Sequence, residues 1–146
     1  MIPAGRFLLL DTDVMLHLVR GKEEGQRLDV TYSLRARSDR PLLSVVSVGE
    51  ILTFARRRDW GPAKLAKLTD LLREVVIMPI GDHATADRFA EITAYCEGKG
   101  RTLSDNDRWI AATAAVTNAV LLTTDRDFDV LDPTSIRLAG RPTPGS

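Results

Sequence analysis

The chain has 146 residues, with 20 basic and 20 acidic side chains and therefore no formal net charge. This length fits one domain, and the balanced charge excludes a protein that binds nucleic acid through bulk positive charge alone. No apolar run approaches the roughly 20 residues of a membrane span, so we expect neither a membrane segment nor a signal peptide. The single cysteine, Cys96, excludes an internal disulfide and favours a reducing, cytoplasmic setting.

Short apolar runs alternate with helical patterns along the whole chain. The apolar runs predict buried strands at residues 7–10 and 42–46 and further strands at residues 74–79 and 120–123, with a possible fifth at residues 136–138. Periodic apolar positions and capping residues predict helices at residues 14–19, 28–36, 51–58, 62–73, 82–97 and 105–117, with a break at residues 21–25 and Ser47 as the cap of the third helix. Residues 140–146 are rich in Pro and Gly and are expected to form a flexible tail.

This alternation predicts an α/β fold over residues 1–139. Continuously apolar strands are typical of a parallel sheet that helices cover on both faces, here with four or five strands. Sheets of this kind bind ligands beyond the carboxyl ends of their strands. The residues that follow each strand are therefore the candidate functional residues.

Four acidic residues follow strands or begin helices at this predicted edge. Asp11 comes directly after the first strand, and Asp125 comes shortly after the fourth. Glu50 and Asp107 each lie three residues after a serine that can cap a helix, so either acid alone fits a plain capping role. Asp125 alone could open a turn. Asp11 is harder to explain by local structure, because a buried, unpaired carboxylate costs free energy.

Together, the four acids predict a metal site. Converging carboxylates repel one another unless a cation lies between them. An all-oxygen set without paired histidines or cysteines suits Mg²⁺ or Mn²⁺ rather than zinc, and such ions support phosphate chemistry. We expect His17 and His83 to be structural.

Further polar residues near the same edge are candidates for supporting roles. The auxiliary candidates are Thr12, Asp13, Ser47, Thr123, Thr124 and Asp127. Arg108 and Arg126 flank two of the acids and are expected to bind a phosphate of the substrate. Two further groups of arginines, residues 35–40 and 56–58, could hold a nucleic-acid backbone or simply form a solvated face.

The segments around these acids resemble the PIN-domain family and, within it, the VapC-type toxins of bacterial toxin–antitoxin pairs. The matching segments are LDTD (10–13), SVVSVGEIL (44–52), NDRWIAA (106–112) and LTTDRDF (122–128). The resemblance implies a PIN-like fold and a metal-dependent endoribonuclease that leaves 5′-phosphate and 3′-hydroxyl ends. It also implies metal binding by Asp11, Glu50, Asp107 and Asp125, a homodimer, and an antitoxin that occupies the site. Asp13 departs from the pattern, because such toxins commonly have Asn there.

Two other functions are compatible with parts of the sequence. The segment FLLLDTD also resembles the first motif of haloacid-dehalogenase-type phosphatases, with Asp11 as nucleophile, Asp13 as acid–base and Ser47 as phosphate ligand. That alternative leaves Asp107 without a role. A PIN-like fold that only binds a partner is the other alternative, and it would not need to bind a metal.

Overall fold

Five short parallel strands form one sheet. The computed structural model describes residues 5–141 of the chain. The strands are β1 (Leu8–Leu10), β2 (Leu42–Ser44), β3 (Val76–Met78), β4 (Val120–Leu122) and β5 (Leu138–Ala139). They lie in the order β3-β2-β1-β4-β5, and every neighbouring pair is parallel. The predicted parallel α/β sheet is confirmed.

Six α-helices and one 3₁₀ helix connect the strands. The helices are α1 (Thr12–Arg20), α2 (Glu23–Tyr32), α3 (Val45–Arg57), α4 (Pro62–Arg73), α5 (His83–Gly98) and α6 (Asp105–Thr117), and the 3₁₀ helix is Arg126–Val130. Helices α4 and α6 have the bounds predicted from the sequence. In α6 the caps are the expected ones, because Ser104 accepts the backbone N–H of Asp107 and Asn118 adopts a left-handed conformation.

The central strands of the sheet are covered on both faces, whereas Val76 and Ile77 of the edge strand β3 are exposed. In β1 the side chains alternate: Leu8 and Leu10 pack with buried residues of α1, α2 and α4, whereas Leu9 packs with residues of α5 and α6. Among the described residues, no helix is long and apolar enough to cross a lipid bilayer.

The chain order places a crevice at the carboxyl end of β1. From β1 the chain builds outward through β2 and β3, and then crosses to the other side of β1 to add β4 and β5. This reversal between β1 and β4 is the point at which open parallel sheets bind ligands. The backbone N–H of Asp11 donates to the carbonyl of Leu122 across 2.9 Å, so the ends of these two strands are fixed side by side.

The prediction of a break at residues 21–25 is only partly right. Gly21 ends α1 with a left-handed conformation, but Gly25 lies inside α2. A Cβ atom on Gly25 would stand 2.2 Å from the carbonyl oxygen of His17, so its glycine permits close packing of α2 on α1. Helix α2 also ends earlier than predicted, because Ser33 is left-handed at its C-terminus.

The predicted start of α3 is wrong. Ser44, not Ser47, is the N-cap, and its hydroxyl accepts the backbone N–H of Val46. Strand β2 therefore ends at Ser44, and Glu50 lies in the second turn of α3 rather than at a capping position. Both Ser44 and Ser47 are fully buried. Because Ser47 does not cap the helix, its hydroxyl is available to other side chains.

The predicted flexible tail, residues 140–146, lies mostly outside the described residues. Gly140 is described, and it is anchored: its N–H donates to the Tyr32 hydroxyl at 2.8 Å, and its carbonyl accepts from Arg27 at 2.6 Å. Arg141 pairs with Asp129. Gly140 and Arg141 therefore both contact the rest of the domain.

Candidate metal and active site

Asp11 is the most buried acid of the candidate site, with 3% of its surface exposed. It ends β1 and caps α1, because its Oδ1 accepts the N–H of Thr12 at 2.7 Å. Its Oδ2 accepts the hydroxyl of Thr123 at 2.7 Å. Burial raises the pKa of Asp11 to about 7, and the Thr123 hydrogen bond only partly opposes this rise. At neutral pH the charge of Asp11 therefore needs a nearby cation.

Glu50 reaches the same edge from α3 through a network of hydroxyl groups. The hydroxyl of Thr12 lies 2.7 Å from Glu50 Oε1 and 2.9 Å from the Ser47 hydroxyl. The side-chain amide of Asn106 donates to Glu50 Oε2 at 3.3 Å. Thr12 and Ser47, two of the predicted auxiliary residues, thus contact each other, and Thr12 holds the Glu50 carboxylate.

Asp107 lies in the first turn of α6 and is half-buried. Burial raises its pKa to about 6, against the hydrogen bond with Ser104, which lowers it. The charges of Asp125, Glu50 and Asp127 raise it further. The pKa of this carboxyl therefore reports that other acids surround it.

Asp125 and Asp127 belong to the 3₁₀ helix that follows β4. Asp125 is its N-cap, and its Oδ1 accepts the N–H of Asp127 at 2.9 Å. Together with Asp107, these two residues form a compact group, in which one carboxylate oxygen of each lies within 4.8 Å of the other two. Among residues 5–141, no other such set of three potential ligands meets this limit.

The composition of this group differs from the predicted one. Asp107 and Asp125 were predicted ligands, whereas Asp127 was predicted only as an auxiliary residue. Asp11 and Glu50 lie outside the compact group, but both interact with Asp107. The charge of Asp107 raises the pKa of Asp11, and the charge of Glu50 raises the pKa of Asp107. The four predicted acids are thus brought to one edge, with Asp127 as a fifth.

Asp13, the sixth acid, points to the same edge from the first turn of α1. Burial raises its pKa, and the charges of Asp125 and Glu50 raise it further. His17 and Arg20 oppose this rise. His17 is therefore close enough to influence the site, although it supplies no ligand to the compact group.

The donor set fits a hard divalent cation. The compact group offers carboxylate oxygens alone, without a thiolate or an imidazole. Free carboxylates this close repel one another, and a cation of double charge offsets that repulsion. The raised pKa values of Asp11 and Asp107 express the same need.

The two predicted phosphate-binding arginines differ. Arg108 lies between α5 and α6, where it pairs with Asp105, donates to the Thr93 hydroxyl at 2.7 Å and stacks on Phe89. Its side chain is only 18% exposed, so the expected role as a phosphate ligand is not supported. Arg126 is exposed at the start of the 3₁₀ helix and remains a candidate.

Next to the acids, a groove of about 690 Å³ runs between α1 and α3. Thr12, Asp13 and Glu50 line one part of it, and Phe54 and Arg57 line another. Sequence reasoning did not find this groove. The only signal was the run of three arginines at the end of α3, which was interpreted as either a nucleic-acid contact or a solvated face.

Comparisons with known proteins agree on the family of the fold. The family model of the PIN domain matches residues 8–132. Ribonuclease VapC5 of Mycobacterium tuberculosis is 31% identical to this chain over 127 residues, which cover 85% of this chain and 87% of that protein.

Two solved structures are similar over nearly the whole chain. VapBC-5 from Mycobacterium tuberculosis superposes with a TM-score of 0.65 at 27% identity, covering 92% of this chain and 97% of the other. VapBC2 from Rickettsia felis, bound to a DNA fragment from its promoter, superposes with a TM-score of 0.78 at 17% identity, covering 92% and 98%. The Mycobacterium tuberculosis structure is described as a member of the VapBC family of toxin–antitoxin systems.

Proposed function

This chain belongs to the PIN-domain family, and from that premise we propose that it is a divalent-metal-dependent endoribonuclease, the toxin of a type II toxin–antitoxin pair. Its curated relative VapC5 is named a ribonuclease. The observation that carries the proposal is the gathering of Asp107, Asp125 and Asp127 within 4.8 Å at the carboxyl end of β4. An all-oxygen site of this kind suits hydrolysis of a phosphodiester.

We assign the metal to the acids of this edge. Asp107, Asp125 and Asp127 would hold it directly, with Asp11 and Glu50 facing the same ion or a second one. Mg²⁺ is the ion we propose, with Mn²⁺ as its substitute, because both prefer oxygen ligands. When bound, such an ion lowers the pKa of water and offsets charge on phosphoryl oxygens.

The residues around the acids position them. Thr123 donates to Asp11 Oδ2, and Thr12 with Asn106 holds the two oxygens of Glu50. Ser47 fixes the Thr12 hydroxyl from inside α3. These contacts fix the orientations of the Asp11 and Glu50 carboxylates. Arg126 is exposed beside Asp125, where its guanidinium can pair with a phosphate of the substrate.

The substrate and partners follow from the family. The substrate is RNA, cut to leave 5′-phosphate and 3′-hydroxyl ends, and a structured RNA such as tRNA is one candidate. The partner is a cognate antitoxin that covers the acidic site, as expected from the VapBC complexes. We also propose a homodimer that acts in the cytoplasm.

The phosphatase alternative is not favoured. A phosphatase mechanism built on Asp11 gives no role to Asp107, which forms a compact acidic group with Asp125 and Asp127. The Ser47 hydroxyl is buried against Thr12 rather than open to a phosphate.

The test is cleavage of end-labelled RNA by the purified chain, with Mg²⁺ or with EDTA. We expect cleavage with Mg²⁺, none with EDTA, and none by Asp107→Asn at the same Mg²⁺ concentration. Asp87 is an exposed acid of α5 that does not belong to the site. An Asp87→Asn variant should therefore cut at the wild-type rate. Wild-type cleavage in EDTA, or by Asp107→Asn, would refute the metal mechanism.

A further inference from the structure

The groove between α1 and α3 begins at the acidic site and ends at a positive, aromatic surface. Asp13 and Glu50 lie at its acidic part, and Arg57 lies on the wall formed by α3. Leu16, Val46 and Phe54 supply apolar lining between polar residues. A groove with this sequence of surfaces suits a ligand that carries negative charge along its length and flat apolar groups beside it.

Phe54 organises the positive part of the groove. The guanidinium of Arg58 lies 4.5 Å from the centre of its ring, and that of Arg20 lies 5.8 Å from it. Trp60 contacts the same ring edge-on, with the ring centres 6.0 Å apart. An aromatic ring among arginines is the combination with which proteins bind the bases and phosphates of single strands.

The arginines of this surface retain their charge for a ligand. Within residues 5–141, neither Arg57 nor Arg58 forms an ion pair with an acidic side chain, whereas the charge of Arg20 also acts on Asp13. Arg57 is exposed and lines the groove, whereas its neighbour Arg56 lies on a separate depression with Trp60 and Leu65. Two adjacent arginines of one helix thus face different surfaces.

We propose that this groove binds the RNA strand on one side of the cleaved bond, with Arg57 as a phosphate ligand and with Arg20 and Arg58 beside it. The inference rests on the proposed function, because it places the substrate of the same site. A phosphate backbone supplies the negative charges that the arginines lack, and it continues from there to the cation at the carboxylates.

A single-stranded RNA fits this groove better than a protein segment does. A protein partner would need a basic group for the acids and acidic groups for the arginines, in that order and at that spacing. One continuous polyanion needs only the arginines and the metal that the acids already require. The apolar lining at Phe54 then lies beside the bases.

The test compares Arg57→Ala with Arg56→Ala. Both remove one positive charge from the same exposed turn of α3, so changes in overall charge are matched. Binding of a short fluorescein-labelled single-stranded RNA is measured by anisotropy with Ca²⁺ in place of Mg²⁺, so that a divalent cation is present at the carboxylates, over a range of monovalent salt concentrations. We expect Arg57→Ala to bind roughly tenfold more weakly, with a salt slope reduced by about 0.7, while Arg56→Ala stays near wild type.

Further variants and a kinetic measurement make the result decisive. Arg57→Glu should weaken binding more than Arg57→Ala, and both variants should melt at the wild-type temperature, because the side chain is exposed and unpaired. In cleavage assays with Mg²⁺, Arg57→Ala should raise KM and leave kcat nearly unchanged. Equal RNA affinity and equal salt slopes for both alanine variants would overturn the proposal and leave the groove to a protein partner.

The same data separate this inference from the proposed function. If the wild type cuts RNA but the two alanine variants bind it equally, the groove assignment fails and the nuclease stands. If the wild type never cuts RNA, but Arg57→Ala binds RNA more weakly than the wild type and Arg56→Ala do, then the nuclease proposal fails and the groove remains an RNA-binding surface.

Discussion

The hydroxyl of Thr123 donates to Asp11 Oδ2 across 2.7 Å, and Thr123 Oγ1 itself accepts the backbone N–H of Asp125 at 3.0 Å. One buried side chain therefore connects an acid at the end of β1 to an acid after β4. The hydrogen bond lowers the pKa of Asp11, in opposition to burial, which raises it. Thr123 is thus a positioning residue that also stabilises the charged form of Asp11.

Removing this hydroxyl should weaken metal binding and shift its pH dependence. In Thr123→Val the pKa of Asp11 rises further, so protons compete better with the cation. We expect Mn²⁺ to bind about tenfold more weakly at neutral pH, and half-maximal binding to move to higher pH. Titration calorimetry across a pH series measures both. Thr123→Ser should restore wild-type behaviour, and a Val variant with an unchanged pH profile would show that the hydroxyl has no such role.

Without metal, the contribution of Asp11 to the free energy of unfolding should fall as pH rises. The pKa of Asp11 is raised from 3.8 to about 7, so its contribution is fully present below about pH 4 and is lost as pH rises toward 7. We expect Asp11→Asn in EDTA to be more stable than wild type by about 2 kcal/mol near pH 8, and similar to it near pH 4. Urea unfolding at a series of pH values gives this difference.

The difference between the two proteins reports the carboxyl of Asp11 together with its repulsion by Asp13 and Asp107. Other acids act in the opposite direction, because hydrogen bonds lower the pKa of Glu24, Asp82 and Asp132 in the folded chain. These acids are present in both proteins and cancel. A stability difference that does not change with pH would contradict a raised pKa at Asp11.

Asp127 should act as a metal ligand although it is exposed. Its carboxylate lies within 4.8 Å of those of Asp107 and Asp125. We expect Asp127→Asn to weaken Mn²⁺ binding roughly tenfold, because it removes one negative charge from the ligand set. Asp87→Asn is the matched control and should bind as wild type does. Equal binding by both variants would remove Asp127 from the site.

Gly25 and Gly49 should respond oppositely to alanine. A Cβ on Gly25 would lie 2.2 Å from the carbonyl oxygen of His17, whereas a Cβ on Gly49 meets nothing within 4 Å. We expect Gly25→Ala to destabilise the fold by about 2 kcal/mol, and Gly49→Ala to stabilise α3 by about 0.5 kcal/mol. Thermal unfolding in EDTA measures both. A tolerated alanine at Gly25 would show that α2 can move away from α1 at little cost.

Local signals predicted the parts of the fold that local chemistry determines. Ser104 and Asn118 cap α6 at the predicted positions, and the apolar runs of β1 and β4 end where Asp11 and the loop before Asp125 begin. Because the carboxyl ends of parallel strands lie at one edge of the sheet, the strand order also predicted that the acids meet there. This part of the site needed only the order of strands and helices.

The parts that failed depend on tertiary contacts. Ser44 and Ser47 are equally suitable caps by type and are both buried, and the end of strand β2 at Ser44 places the start of α3 there. Arg108 follows a candidate ligand in sequence, but packing of α6 on α5 turns it toward Phe89. Asp127 joins the ligand group because a 3₁₀ helix folds it back over Asp125, and a short turn signal does not specify that geometry.

The most direct test of the central claim is calorimetric titration of Mn²⁺ into metal-free wild type and Asp107→Asn at pH near 8, where the acids are ionised. At this pH the account predicts saturable Mn²⁺ binding by the wild type and binding at least tenfold weaker in the variant. When the wild-type titration is repeated at a pH closer to the pKa of Asp11, Mn²⁺ binding should also release protons. Equal affinity in the two proteins, or no binding by the wild type, would contradict a shared cation at these carboxylates.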